Sequence, residues 1–372
     1  MAVVPGPPLK LQPVDPGCLP SAGGYVDIEI ADGVALVAWG NGGEVIAVDV
    51  DTGARLWSRP ANTGWGLGAG AGRFFLVDGA PACLEARSAK VEWELPHHWH
   101  FPVSTDAVCS PDSQMVFFGT AAWAGPGVDA DPEDPWQGDP PRLYALRADS
   151  GQLVWSHSGS PTDYGVHGVA VDDKRAYCLF TDRLIAFGRN DGHVVWEQLV
   201  SGDDIVLTPK LVLVSCGTEV RAFSRETGRQ RWVARITGEN ESLHDARPAL
   251  SGGRLIMAVQ EGHGPSHPPV ATVAINTASG EEVWRSGFVP FGMPDRVLAS
   301  EKFVVCRPRD VYDQVVLLDP ENGNTLRRLR FQGLLWLWGA PRLVGDRLIC
   351  AHVRPDGVHL GVVNLAKELQ RA

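Results

Sequence analysis

The side chains with most chemistry to offer are four histidines: His98 and His100 in the run His97-His98-Trp99-His100, then His167 and His244. In an extended segment alternate side chains point to opposite sides, so His98 and His100 face one way and His97 and Trp99 the other. Neutral imidazoles are the commonest transition-metal ligands, and they titrate near neutral pH. Three of them with a carboxylate such as Asp245 would suit zinc, iron or copper and leave a position open for water or substrate. The same histidines could also act as acid or base groups, or bond the surrounding loops as donors and acceptors. No HExxH or CxxC fixes a metal geometry, and no GxSxG elbow, P-loop or GxGxxG singles out a nucleophile or a nucleotide site. Around the histidines stands a second set, Trp65, Trp99, Tyr164, Asp203, Asp245, Arg247, Asp295, Arg296 and Trp338, with the polar and aromatic character of a ligand-binding surface.

These residues are scattered along the chain, so a repeating architecture must gather them. One segment does recur: IAVDVDTGARLW ending at Trp57, YALRADSGQLVW at Trp155, IAFGRNDGHVVW at Trp196, RAFSRETGRQRW at Trp232 and VAINTASGEEVW at Trp284. Each tryptophan follows a glycine by four residues. Two copies have decayed: CLEARSAKVEW keeps Trp93 without the glycine, and VLLDPENGNTLR keeps Gly323 but puts Arg327 in the tryptophan slot. An alternating apolar run, a polar cluster closing on glycine and a second short run make a hairpin. Two further apolar runs precede each hairpin, so every unit reads as a four-stranded antiparallel meander. Gly53 and Gly323 stand six units apart, a mean of about 45 residues, which predicts eight units in 372 residues. Four-stranded units of that size close radially into a β-propeller, leaving only short edges. The expected fold is all-β, an eight-bladed propeller spanning 1–372 as a single domain. The last unit has three strands, and the extended residues Leu9 to Val14, within an N-terminal segment 1–24, would supply its fourth.

The copies resemble the repeat of the PQQ-like β-propeller superfamily, with its apolar-Asp-x-x-x-Gly-x-x-x-Trp signature, found in quinoprotein alcohol dehydrogenases and in the outer-membrane assembly lipoprotein of the same fold. The resemblance covers about residues 9–372. It implies that Trp57, Trp93, Trp155, Trp196, Trp232 and Trp284 and the turn glycines dock neighbouring blades. Family members that use PQQ carry an adjacent cysteine pair and a calcium-binding carboxylate set, and are exported. This sequence has no Cys-Cys step, so PQQ is not an expected cofactor; a transition metal is the open alternative. The assembly lipoprotein has a lipidation cysteine behind a signal peptide, whereas Cys18 follows proline-rich polar sequence.

Composition narrows the partners. Lys and Arg total 33 against 44 Asp and Glu, a net charge of -11, so nucleic acid and anionic membranes meet a repulsive average field. No basic start followed by an apolar core opens the chain, and the seven cysteines form no CxxC pair; the expected location is cytoplasmic. Cys178, Cys216, Cys306 and Cys350 lie in apolar runs and read as core residues. An insertion at 121–141, AAWAGPGVDADPEDPWQGDPP, brings Asp129, Asp131, Glu133, Asp134 and Asp139. Its spacing does not match an EF-hand, so it reads as a solvated acidic loop whose Trp123 and Trp136 suit a lid or a docked partner. The expected function is binding of a small molecule or a protein partner on the face where the long loops converge. The alternatives are a metal-dependent lyase, cyclase or hydrolase using His98, His100, His167 and His244, and a structural assembly scaffold.

Overall fold

A computed structural model describes residues 12–19, 26–39, 43–61, 66–77, 81–95, 104–122, 140–160, 162–235, 241–243, 247–262, 269–291, 297–308, 311, 313–331, 334–335, 341–354 and 357–371. Blade four shows why the sequence folds as it does. Its strands are Val166–Val171, Arg175–Phe180, Arg183–Gly188 and Val194–Leu199, paired antiparallel in chain order. The second strand is buried from Ala176 to Phe180 because both its faces meet neighbouring sheets. The fourth strand, at the rim, buries only Trp196 of its six residues.

Eight such sheets form the ring. Apolar side chains interdigitate between neighbours: Phe117 and Trp155 of blade three share a cluster with Cys178 and Phe187 of blade four, and Ile28 and Val37 of blade one pack with Ile349 of blade eight. The repeat tryptophan latches each of blades one to six to the next. Trp93, Trp155, Trp196 and Trp284 donate Nε1–H to the carbonyls of Ala148, Arg189, Arg225 and Pro320 at 2.8 to 2.9 Å. The ring then lies over the next blade's turn glycine, where there is no room for a Cβ: one placed on Gly192 would sit 2.7 Å from Trp155 Cδ2. That glycine also has φ of 70°, the left-handed region. In the copy without glycine, Ala89 adopts the same conformation at φ 57°, and Trp57 donates to Ala86 O at 2.8 Å, so the decayed repeat keeps its geometry.

The ring closes through the N-terminal strand, as the strand count requires. Gln12–Leu19 pairs antiparallel with Gly357–Asn364 as the fourth strand of blade eight, later in the chain than Leu9 to Val14 but sharing Gln12–Val14 with it, where the register is Gln12↔Val362 and Val14↔Leu360. A variant lacking residues 1–19 is expected to melt several degrees lower, because the Gly357–Asn364 strand becomes an open edge; unchanged melting would exclude the clasp. Three blades depart from the simple meander. In blades six, seven and eight the inner strand is split, as Glu241–Leu243 and Ala249–Ser251, Val289–Pro290 and Leu298–Ala299, and Leu334–Leu335 and Arg342–Val344. The last strand ends at Asn364, whose side chain accepts from Lys367 N and caps a short helix, Leu365–Gln370. No helix among the described residues is long and apolar enough to cross a membrane.

Candidate functional site at the propeller mouth

The first residues of the inner strands of blades three to six surround a cavity of about 280 Å³ at the axis. Asp106, His167, Asp204 and Arg247 line it, each two residues ahead of Val108, Val169, Val206 and Ala249 of its inner strand. One repeat slot, in four successive blades, therefore delivers four polar side chains to one place.

Each is positioned by local backbone. In blade four Val166 pairs with Phe180 and Gly168 with Leu179, so His167 is the extra residue of a β-bulge. A bulge re-aims the side chain it carries, and His167 is exposed into the mouth. Gly168 lets blade five approach: a Cβ there would meet Ile205 Cγ1 at 3.2 Å and Ile205 N at 3.3 Å. Arg247 of blade six forms an ion pair through Nη1 with Asp106 of blade three. Its carbonyl is held in turn by Val297 N of blade seven at 2.8 Å. Asp204 Oδ1 accepts from Ile205 N at 2.7 Å, which fixes the carboxylate at the strand entrance.

The other candidates that the structure describes lie around this mouth. Asp203 is exposed, with its Oδ2 accepting from Gly217 N at 3.4 Å. Tyr164 is 55% exposed, and its carbonyl accepts from Ala122 N at 2.9 Å, next to the Ala121–Gly165 bridge. The described root of the acidic insertion is thus fastened to the residues that lead into the His167 bulge. His98, His100, His244, Trp65, Trp99, Asp245, Asp295, Arg296 and Trp338 lie outside the described residues, as do 123–139 of the insertion. Among the described residues no group of three or more His, Cys, Asp or Glu side chains could hold a metal ion. His167 stands in the strand Val166–Val171 rather than in a loop, and Asp106, which is not among the sequence candidates, joins it. The available signal was the alignment of Asp106 with Asp204 in the repeat.

Among the described residues no cysteine lines this mouth. Cys178, Cys306 and Cys350 are buried as expected, while Cys216 is only half-buried. Burial pushes the Cys83, Cys109, Cys306 and Cys350 thiols up to about 12, far from the thiolate that reacts.

Comparison with known proteins adds the following. A family model described as outer membrane protein assembly factor BamB matches residues 41–108 and 141–264, more than half of the chain. No curated protein sequence matches it. Among solved structures, BamB from Moraxella catarrhalis superposes with a TM-score of 0.62 at 15% identity, over 95% of this chain and 99% of that one. The quinohemoprotein alcohol dehydrogenase from Comamonas testosteroni gives 0.64 at 13% identity, over 92% of this chain and 75% of that one. A computationally designed protein, Ika8, gives 0.63 at 12% identity, over 93% and 98%. At such identities the likeness to these structures is one of fold.

Proposed function

We propose, for a chain that belongs to the family of the outer membrane protein assembly factor BamB, that it is a binding platform whose axial mouth receives a segment of a protein partner. The observation that carries this reading is the convergence of Asp106, His167, Asp204 and Arg247 from one repeat slot onto a single cavity. A blade needs no ionisable side chain in that slot to pack, and Val297 fills the wall from blade seven with an apolar one. Polar groups held at fixed geometry in a concave surface recognise a polar occupant. The family description, an assembly factor, favours a protein over a free small molecule, and the exposed Tyr164 at the rim supplies the kind of amphipathic anchor that protein interfaces use. Arg247 is paired with Asp106, so Asp204 gives the lining an excess of negative charge, which favours a hydrogen-bond donor or a basic side chain of the occupant. We also propose a cytoplasmic setting, which the six free cysteines among the described residues suit; cell fractionation checks it.

A photo-crosslinking amino acid in place of His167 tests the binding reading in cells. The expected result is one discrete crosslinked protein, abolished by Arg247→Glu and absent when the crosslinker replaces His193, which lies on the opposite face beside the Gly192 turn. Equal products from positions 167 and 193 would sink it. Metal analysis of the purified protein addresses the enzyme alternative, since stoichiometric zinc, iron or copper would require His98, His100 and His244 to join His167.

A further inference from the structure

On the face opposite the mouth, the hairpin turns of blades four, five and six enclose a cleft of about 1020 Å³. Five cationic side chains line it, Lys174, Arg175, Lys210, Arg225 and Arg231, against three acidic ones, Asp172, Asp173 and Glu226. On a chain with a net charge of -11 this is a local reversal of sign.

Two kinds of cation are present. Arg225 is structural: its guanidinium bonds Asp172, reaches the Tyr177 hydroxyl at 3.4 Å, and donates through Nη1 to Thr208 O at 2.9 Å and Pro209 O at 3.2 Å. Tyr177 is fully buried and donates to Asp172 Oδ2 at 2.8 Å. The carbonyl of Arg225 is taken by the Trp196 latch at 2.9 Å and by Arg175. These bonds make a rigid wall between blades four and five. Lys174, Lys210 and Arg231 are different. They are exposed, and among the described residues none of them reaches a carboxylate at ion-pair distance. Three unpaired cations from two blades thus stand around a wall that cannot collapse onto them.

We infer that this cleft binds an acidic peptide segment of a partner protein. Its size exceeds what a single small anion fills, and its charge is interleaved with Pro209, Leu211 and Ala278, which offer apolar contacts between the cations. Asp173 and Glu226 in the same lining repel the dense charge of a polyphosphate or a nucleic acid backbone, yet they can pair with an isolated basic side chain of a peptide. The inference stands apart from the mouth, which lies at the other end of the inner strands.

Fluorescence anisotropy with a labelled peptide of alternating Glu and Leu tests it on the full chain. Binding is expected, with an affinity that falls steeply as salt rises from about 50 to 300 mM, because exposed charges are screened over that range. The double variant Lys174→Glu, Lys210→Glu is expected to bind about tenfold or more weakly, with its melting temperature unchanged. Arg247→Glu is expected to bind as the parent does, which separates this site from the mouth. Undiminished binding by the double variant would overturn the inference, as would equal binding of an alternating Lys and Leu peptide. Displacement of the acidic peptide by inorganic tripolyphosphate at lower concentration than by unlabelled peptide would also overturn it, because the cleft would then select charge density.

Discussion

Trp196→Ala is expected to lower the free energy of unfolding by about 3 to 5 kcal/mol, the range for truncating a buried large aromatic. Trp196 is 8% exposed and packs with Tyr177, Leu179, Val212 and Phe223, so its removal opens a cavity between blades four and five. Its Nε1–H is also one of the two donors on the Arg225 carbonyl, at 2.9 Å. Finally, its ring covers Gly228, where a Cβ would sit 2.8 Å from Cδ2 and φ is 68°. Gly228→Ala should therefore destabilise as well, through the same contact and through the left-handed backbone. Denaturant unfolding followed by fluorescence of the other tryptophans measures both. A loss below about 1 kcal/mol for Trp196→Ala would place the side chain at the surface in energetic terms and undo its role as a latch.

The residues of that latch were legible in the sequence because a glycine and a tryptophan recur four residues apart, and the family resemblance implied that they dock blades; each of Trp93, Trp155, Trp196, Trp232 and Trp284 in fact meets the glycine of the next unit. Periodicity also carried the blade count, the four-stranded meander and the need for an N-terminal strand, since each depends on patterns a few residues long. What escaped was set by contacts between blades or by single-residue irregularities. His167 reads as loop because Gly168 and the preceding polar residues resemble a turn, yet a one-residue bulge keeps both in the strand. The splits in the inner strands of blades six to eight are invisible to a period-two pattern, because three-residue strand pieces carry too little alternation. Only the start of the terminal helix, Leu365 and Ala366, continues the apolar run of the strand, and the Asn364 cap marks the change. For the site, the chain showed which segments are rich in polar residues but not which slot faces the axis. That slot emerges only when the repeats are placed in a ring.

Arg342 reaches across 315 residues to blade one, and its loss is the second large effect expected. Arg342 begins the second piece of the inner strand of blade eight and donates through Nη2 to Asp27 Oδ1 at 2.6 Å and Glu29 Oε1 at 2.9 Å, both on the inner strand of blade one. It is 6% exposed, and Asp27 is also buried. Here the two ends of the ring meet, so the three charges hold the seam that the Gln12–Leu19 clasp reinforces from the rim. Removing one member of a buried ion pair leaves the remaining charges without compensation and costs about 3 to 5 kcal/mol. Arg342→Ala should therefore destabilise to that extent and should open the seam first, which limited proteolysis would report as early cleavage in blade one or blade eight. A double variant Arg342→Leu, Asp27→Leu should recover part of the loss, because it also removes the more buried of the two carboxylates that Arg342 compensates. If Arg342→Ala unfolds at the same denaturant concentration as the parent, the ring is held at this seam by the strand clasp and the Ile28–Ile349 packing alone.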